Sequence, residues 1–341
     1  MEVFLNYPDI DEYTAETFQL LGNLFRDRGE VDRALRVHQN VIARSNLNAK
    51  QKQKAMFALG LDFFAAGMLD RSESVFQELL ENDVKWIPKA DICSSLRTIY
   101  EQTQEWQKAV EATHCVKQNT KKSDASSHLI NHDSLISHYY CELAEMALQE
   151  GNLHEVDGYI AKAKKAYKLS TRLMTLQGDT ALHQKQYKQA LNHYLKAVNE
   201  DSRVLNMLLS KIEETANQTG ELSFVLDSLL TLFKKNQDKS IFEVILTLST
   251  KYKLTENVDS LISESLANKK LNIESIYKAS EYINTGEGEI TPETGMVLVN
   301  QSLGNYLKGV PAFRCEHCGY KMHDYLWRCP ACHHWDTVEH A

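Results

Sequence analysis

The chain is short of the residues that interrupt helices, with five prolines and fourteen glycines in 341 residues. A composition this poor in turn formers argues for helix along most of its length. It also lacks a basic surplus: 38 Lys and Arg stand against 46 Asp and Glu, a formal net charge of −8. That excludes a general attraction to phosphate backbones, and nucleic-acid binding is not expected. No apolar run approaches the ~20 residues that cross a bilayer, and no basic-then-apolar signal opens the sequence, so the chain as it stands is expected to be soluble. Gly-rich phosphate loops, nucleophile elbows and HExxH helices are missing too, and scattered acids such as Glu142, Glu145, Glu213 and Glu214 are what solvated helices carry anyway. The expectation is that this is not an enzyme and has no catalytic residues. Apolar content of 43% and charged content of 25% are those of an ordinary folded chain.

What the sequence does have is concentrated at its C-terminal end. Four of the seven cysteines form two CxxC pairs, Cys315 with Cys318 and Cys329 with Cys332, ten residues apart. Each CxxC turn puts two thiolates on one knuckle, and two facing knuckles supply the tetrahedral S₄ set that zinc or iron accepts at about 2.3 Å. All four positions are then sulfur, which leaves none for a catalytic water. The site is expected to be structural, with zinc the favoured ion and a redox iron centre the alternative. Gly319 follows the first pair, Pro330 stiffens the second, and Tyr320, Tyr325, Trp327 and Trp335 can cover an ion that so short a segment could not otherwise bury. Five histidines, His317, His323, His333, His334 and His340, read as exposed residues of this ribbon, with replacement of one thiolate by a histidine as the alternative. From Lys308 onward the segment carries four Lys or Arg and four Asp or Glu, without the surplus of a nucleic-acid-reading finger. The remaining cysteines, Cys93, Cys115 and Cys141, are an odd number spread through helical segments and read as buried thiols of a reducing compartment, not as disulfides.

Upstream, residues 13–204 repeat themselves. Leu21, Gly22, Phe25, Gly29, Ala34 and His38 set a pattern that Leu59, Gly60, Phe63, Gly67, Ser72 and Phe76 repeat 38 residues later. Further copies run through Leu96, Tyr100, Gln104 and Ala109, through Leu143, Ala144, Gly151 and Val156, and through Gly178, Ala181, Ala190 and Tyr194. The pattern resembles the tetratricopeptide repeat of ~34 residues. A small residue at Gly22, Gly60, Ala144 and Gly178 lets the second helix of a unit approach the first, and Gly29, Gly67 and Gly151 end the first helix. Arg97 departs from the small-residue rule, and a polar insert over 119–127 reads as an exposed loop. Residues 205–307 continue as degenerate helical repeats, with helices expected over 205–216, 222–233, 241–252, 258–267 and 273–283, a turn over 285–292 and a last helix over 295–307. Residues 1–12 read as the remnant of a preceding, truncated repeat. The fold class is therefore all-α: a tetratricopeptide-repeat superhelical solenoid, closed by a small rubredoxin-like metal ribbon over 308–341.

Taken together, repeats followed by a CxxC…CPxC ribbon resemble the lipopolysaccharide assembly protein B family (LapB, also YciM) of Gram-negative bacteria. The likeness is carried by LGNLFRDRGEVDRALRVHQ at 21–39, WQKA at 106–109, YCELA at 140–144 and YLWRCPAC at 325–332. The resemblance implies a scaffold held at the cytoplasmic face of the inner membrane by an N-terminal transmembrane helix that this chain does not contain. It implies an adaptor for the protease FtsH, promoting degradation of the deacetylase LpxC and restrained by a PbgA/YejM-type sensor, with a homo-oligomer left open. On the concave face built by first helices, Asn23, Arg26, Asp62, Tyr100 and Glu101 are the candidate partner-binding residues, because they lie off the apolar stripe; solvated helix face is the alternative for each. The ribbon is expected to fold back on the last helices through Tyr320, Tyr325, Trp327 and Trp335, closing one end of that groove. Two other readings stay open: a soluble scaffold for an unrelated cytosolic assembly, and a rubredoxin-like electron carrier.

Overall fold

The computed structural model describes residues 14–45, 47–82, 84–120, 131–168, 170–253, 258, 261, 273–285 and 310–341. The expected remnant at 1–12, most of the insert, most of the 258–267 helix, nearly all of the 285–292 turn and the 295–307 helix lie outside the described residues. The rest is a succession of antiparallel helix pairs: α1 (Ala15–Asp27) and α2 (Val31–Ile42), α3 (Ala49–Ala65) and α4 (Leu69–Glu81), α5 (Lys89–Gln102) and α6 (Trp106–Asn119), α7 (His132–Gln149) and α8 (Leu153–Ala166), α9 (Thr171–His183) and α10 (Tyr187–Glu200). A single 3₁₀ turn, Ser202–Val204, leads into α11 (Leu205–Thr219), α12 (Leu222–Asn236) and α13 (Lys239–Tyr252), and a further helix spans Ile273–Thr285. The chain divides into two compact units, residues 1–149 with 157–168, and residues 150–156 with 169–341.

Each pair turns the same way because one residue after the first helix takes a left-handed backbone. Gly29 and Gly67 sit at φ +79° and +72°, and the next amides reach back five residues, Glu30 N–H to the Phe25 carbonyl at 2.8 Å and Met68 N–H to Phe63 at 2.9 Å. Those bonds satisfy carbonyls that a helix end would otherwise leave open. Gln104 and Lys185 hold the same conformation without being glycine, both at φ 59°, closed by Glu105 N–H to Tyr100 and Gln186 N–H to Ala181 at 2.9 and 2.8 Å. The start of α3 is fixed by a reciprocal cap in which the Asn48 side chain accepts from Gln51 N–H at 3.0 Å and the Gln51 side chain accepts from Asn48 N–H at 3.3 Å.

Close approach explains the small residue one turn from the end of each first helix. A Cβ built on Gly60 would stand 2.7 Å from the ring of Phe76, which is fully buried, and Gly178 and Gly22 are covered in the same way by Tyr194 and His38. In the third repeat the equivalent of Phe76 is the smaller, buried Thr113, and the first helix carries Arg97 where the others carry glycine or alanine. Gly60→Ala therefore sets a helix-propensity gain of about 1 kcal/mol against an overpacking cost of about 1–3 kcal/mol. Because Phe76 is held by Phe57 at 5.5 Å and the backbone by a 2.8 Å bond from the Ser72 hydroxyl to the Gly60 carbonyl, the clash is expected to win. A urea midpoint lower by roughly 1–2 kcal/mol in ΔG is the expected result, and a rise would show that the ring can move aside.

In the unit that begins with α9, the helices share one apolar core with the C-terminal ribbon. Leu205, Leu208, Ile212, Leu229, Phe242 and Ile245 are buried in one continuous cluster with Phe313, Met322, Tyr325 and Val338. The ribbon is a three-stranded antiparallel sheet, β1 (Phe313–Cys315), β2 (Lys321–Met322) and β3 (Val338–His340), in the order β2-β1-β3. The seat is specific. Arg203 donates to the Val338 carbonyl at 2.7 Å while its guanidinium is gripped by Asp201, and His340 packs on Phe313 with ring centroids 4.9 Å apart and meets the Ser240 hydroxyl at 3.1 Å. Two of the four aromatic residues expected at this contact are there: Tyr325 is buried, and Trp327 packs against the core with Arg172 over its ring at 5.8 Å. Tyr320 is 46% exposed at the tip of the first knuckle, and Trp335 pairs instead with Arg328. The ribbon also seats on the 202–204 turn and the start of α13, not only on the last helices.

One half-buried acid gives this unit a pH dependence. Glu243 on α13 accepts a 3.0 Å bond from Ser275, and burial first, then the nearby Glu274 carboxylate, push its carboxyl up to about 7. A folded-state value above the unfolded one means that the native state binds the extra proton. The stabilisation is complete below about 4.5 and is lost as pH rises through about 7. Glu243→Gln is expected to flatten unfolding stability between pH 5 and 8. In that window the parent loses on the order of 3 kcal/mol, because each pH unit separating the unfolded from the folded value is worth ~1.4 kcal/mol. Identical slopes for the two proteins in that window would exclude it.

Candidate metal centre and first-repeat cleft

The two CxxC segments form matched knuckles. In the first, Gly319 takes φ +72° and its N–H returns to the Cys315 carbonyl at 2.8 Å, while Cys315 N–H reaches the Tyr320 carbonyl at 2.9 Å. In the second, His333 takes φ 59° and its N–H returns to Cys329 at 2.9 Å, while Cys329 N–H reaches the His334 carbonyl at 2.9 Å. The second knuckle thus copies the first with histidine in place of glycine. The four sulfurs converge, all within 4.8 Å of one another, with Cys315 and Cys332 at 3.5 Å and Cys318 and Cys329 at 3.7 Å. An ion about 2.3 Å from four sulfurs at the tetrahedral angle requires sulfurs about 3.8 Å apart, close to the spacing of these two pairs, so the donor set fits a metal. The Thr337 hydroxyl, 3.2 Å from Cys315 Sγ, adds a donor to one thiolate. Cys315 and Cys329 are buried, Cys332 is half-buried and Cys318 is exposed. Alongside, Tyr325 has its hydroxyl pushed above the usual phenol range by burial and then by the Asp201 carboxylate, so it stays neutral.

The candidate partner-binding residues divide. Asn23 and Arg26 do line an open cleft of about 390 Å³, together with Gln19, Leu20, Lys54 and Phe57. Arg26 is held in its wall, donating to Asn23 Oδ1 and Asp62 Oδ1 at 2.9 Å each. Asp62 itself is fully buried, its other oxygen bonded to the equally buried His38. Tyr100 and Glu101 are buried as well: the Tyr100 hydroxyl reaches Glu73 at 3.1 Å, and Glu101 accepts from Tyr139. These three are interior polar residues, placed off the apolar stripe because each has a paired partner there instead of solvent. A second correction concerns the cysteines expected to be free. Cys93 on α5 and Cys115 on α6 are disulfide-bonded, since the antiparallel pair brings their Cα atoms to 6.0 Å across 22 residues, and Cys141 alone of the three is a buried thiol. His340 departs from the exposed reading given to the ribbon histidines, whereas His317, His323, His333 and His334 are exposed. Among the described residues no helix is long and apolar enough to cross a membrane.

Two protein families match segments of this chain. A rubredoxin metal-binding domain family, the ribbon of lipopolysaccharide assembly protein B, matches residues 313–340, and the tetratricopeptide repeat family matches residues 17–50. Lipopolysaccharide assembly protein B of Escherichia coli K12 is 28% identical over 342 residues, covering 99% of this chain and 84% of that protein. Its namesake in Haemophilus influenzae is 28% identical, covering 94% and 77%. Among solved structures, a tetratricopeptide repeat protein from Parabacteroides merdae aligns with 87% of this chain and 100% of its own at a TM-score of 0.39 and 12% identity.

Proposed function

We propose a function that proceeds from the chain's membership of the lipopolysaccharide assembly protein B family: it is a non-enzymatic scaffold that takes part in lipopolysaccharide assembly by holding other proteins. The observation that carries this is the joining, in one chain, of helical repeats to a four-sulfur ribbon that shares their core, matched over 99% of the length by a protein of that name. The finer reading is that the protein acts at the cytoplasmic face of the inner membrane, tethered by a segment N-terminal to this chain, and presents LpxC to the protease FtsH under restraint by a PbgA/YejM-type sensor. The cleft beside Asn23 and Arg26 suits the capture of a peptide segment, since it combines the apolar Leu20 and Phe57 with the cationic Lys54. Cys315, Cys318, Cys329 and Cys332 hold zinc, whose role is to fold the ribbon. Iron would use the same sulfurs at nearly the same distance, and elemental analysis with an absorption spectrum separates the two.

The test is depletion of the full-length protein in its native host, with LpxC followed by immunoblot. LpxC is expected to accumulate several-fold and to fall again when the parent gene is restored, while Asn23→Ala with Lys54→Ala restores it only in part. Unchanged LpxC on depletion, with no FtsH or LpxC recovered on the full-length protein, would reduce the proposal to a scaffold for a different assembly.

A further inference from the structure

Beside the four-sulfur centre stands a second cluster that the ribbon's fold does not require. One ring nitrogen each of His317 and His334 and the sulfur of Cys332 lie within 4.8 Å of one another. The two imidazoles stack, centroids 3.7 Å apart and planes 21° from parallel, and both are exposed. His334 Nδ1 lies 3.0 Å from the carbonyl of Cys332. A carbonyl only accepts, so the proton sits on Nδ1 and the lone pair of Nε2 is left for a ligand. A histidine fixed through one nitrogen by a backbone carbonyl is the usual arrangement of a metal ligand.

The charge of the neighbouring centre supplies the reason for an ion to come here. Four thiolates around a divalent ion leave a formal charge of −2, and a thiolate in such a set keeps lone pairs that a second soft cation can share. Cys332 is the thiolate of the four grouped with two imidazoles, and it is half-buried, so its sulfur is not sealed off from a second ion. We propose that His317, His334 and Cys332 form a second site for a soft divalent cation of the zinc or cadmium class, with Cys332 bridging it to the four-thiolate ion. The inference rests on the four-thiolate reading above. Three protein ligands with a fourth position open to water make the second ion exchangeable where the first is locked in. Imidazole lone pairs lie in the ring planes, so the stacked rings must turn toward one another to converge on it, which their exposure permits.

Zinc alone is the probe. The full chain, prepared with one zinc and desalted, is titrated with zinc against a chromophoric chelator of micromolar affinity at neutral pH. The expected result is one further equivalent bound at roughly micromolar strength. His317→Ala with His334→Ala should weaken that equivalent by at least about tenfold while leaving the first in place, and His323→Ala should change neither. Retention of the first equivalent and an unchanged helical circular dichroism signal establish that the variant is folded. With cadmium as the sole metal, NMR of the ion should show two signals in the parent and one in the double variant. A parent that binds only one ion, or a second equivalent that survives in the double variant as an adventitious ion only, overturns the inference. A parent that binds none overturns the four-thiolate reading itself.

Discussion

Replacing Cys315 and Cys329 together by serine is expected to unfold the ribbon and to destabilise the helices it sits on, lowering their unfolding midpoint by on the order of 10 °C. The ribbon spans 32 described residues, 310–341, far too few to bury a core of their own. In domains of this size, metal binding is the folding free energy, about 10–16 kcal/mol in apparent terms for isolated zinc peptides. Two serines leave a two-sulfur set that no longer closes a tetrahedron, and the knuckles have nothing else to face.

The damage spreads because the ribbon's apolar residues are not its own. Phe313, Met322, Tyr325 and Val338 are 1%, 7%, 5% and 0% exposed, and their neighbours are the helices of the second unit. Losing one well-buried side chain of this kind costs about 1.5–3 kcal/mol, an upper figure when the unfolded chain is itself compact. Four such losses exceed what the Arg203 and Ser240 contacts could retain, since net hydrogen bonds contribute about 1 kcal/mol each. Hydrogen exchange should show α11 and α13 losing protection in the variant while α1 to α4 keep theirs. The same pattern is expected when a strong chelator removes the metal from the parent. A ribbon that melts with the helical midpoint unmoved would mean that the shared core carries little energy.

Much of this site was legible because its chemistry has a fixed spacing. Two CxxC pairs ten residues apart admit few structures, and the repeat glycines mark positions where a Cβ or a negative φ cannot go. What could not be read is what depends on helix phase and on contacts across the chain. Gln104, Lys185 and His333 take the left-handed conformation with no local signal, because the closing hydrogen bonds fix it, and the residue type only makes it costlier by about 1–2 kcal/mol. The Cys93–Cys115 bond needs both cysteines on the facing sides of α5 and α6, and counting cysteines gives an odd remainder regardless of phase. Asp62 and Glu101 have the polarity of surface residues and the burial of core residues, and only the partners that lie 24 to 38 positions away in sequence tell the two apart. His340 is hidden for the opposite reason: histidine in a histidine-rich tail carries no pattern that would single out the one stacked on Phe313.

Asp62→Ala is expected to cost roughly 3–5 kcal/mol, the range for removing one partner of a buried ion pair. The carboxylate is fully buried and serves two donors at once, His38 through one oxygen and Arg26 through the other. Without it His38, itself fully buried, faces an empty space and must lose a bond that nothing nearby replaces, whereas Arg26, 17% exposed at the cleft edge, can still turn to Asn23 and to water. Most of the cost should therefore fall on His38. The corresponding position in the second repeat holds Phe76, and in the fifth it holds Tyr194. Asp62→Leu with His38→Phe removes both members and puts in their place the residue type that the second repeat uses there. Recovery of at least half the loss in urea unfolding is expected, because an apolar pair of similar volume is often neutral where a broken buried polar pair is not. If the double variant were no more stable than Asp62→Ala, the cost would have come from packing rather than from a buried polar group left without its partner. Asn23→Ala is the complement to this experiment: it lines the same cleft, breaks no buried pair, and should shift stability by less than about 0.5 kcal/mol. A loss of partner capture in that variant, at unchanged stability, would belong to the cleft, whereas the same loss in Asp62→Ala would follow from a first repeat that no longer holds its shape.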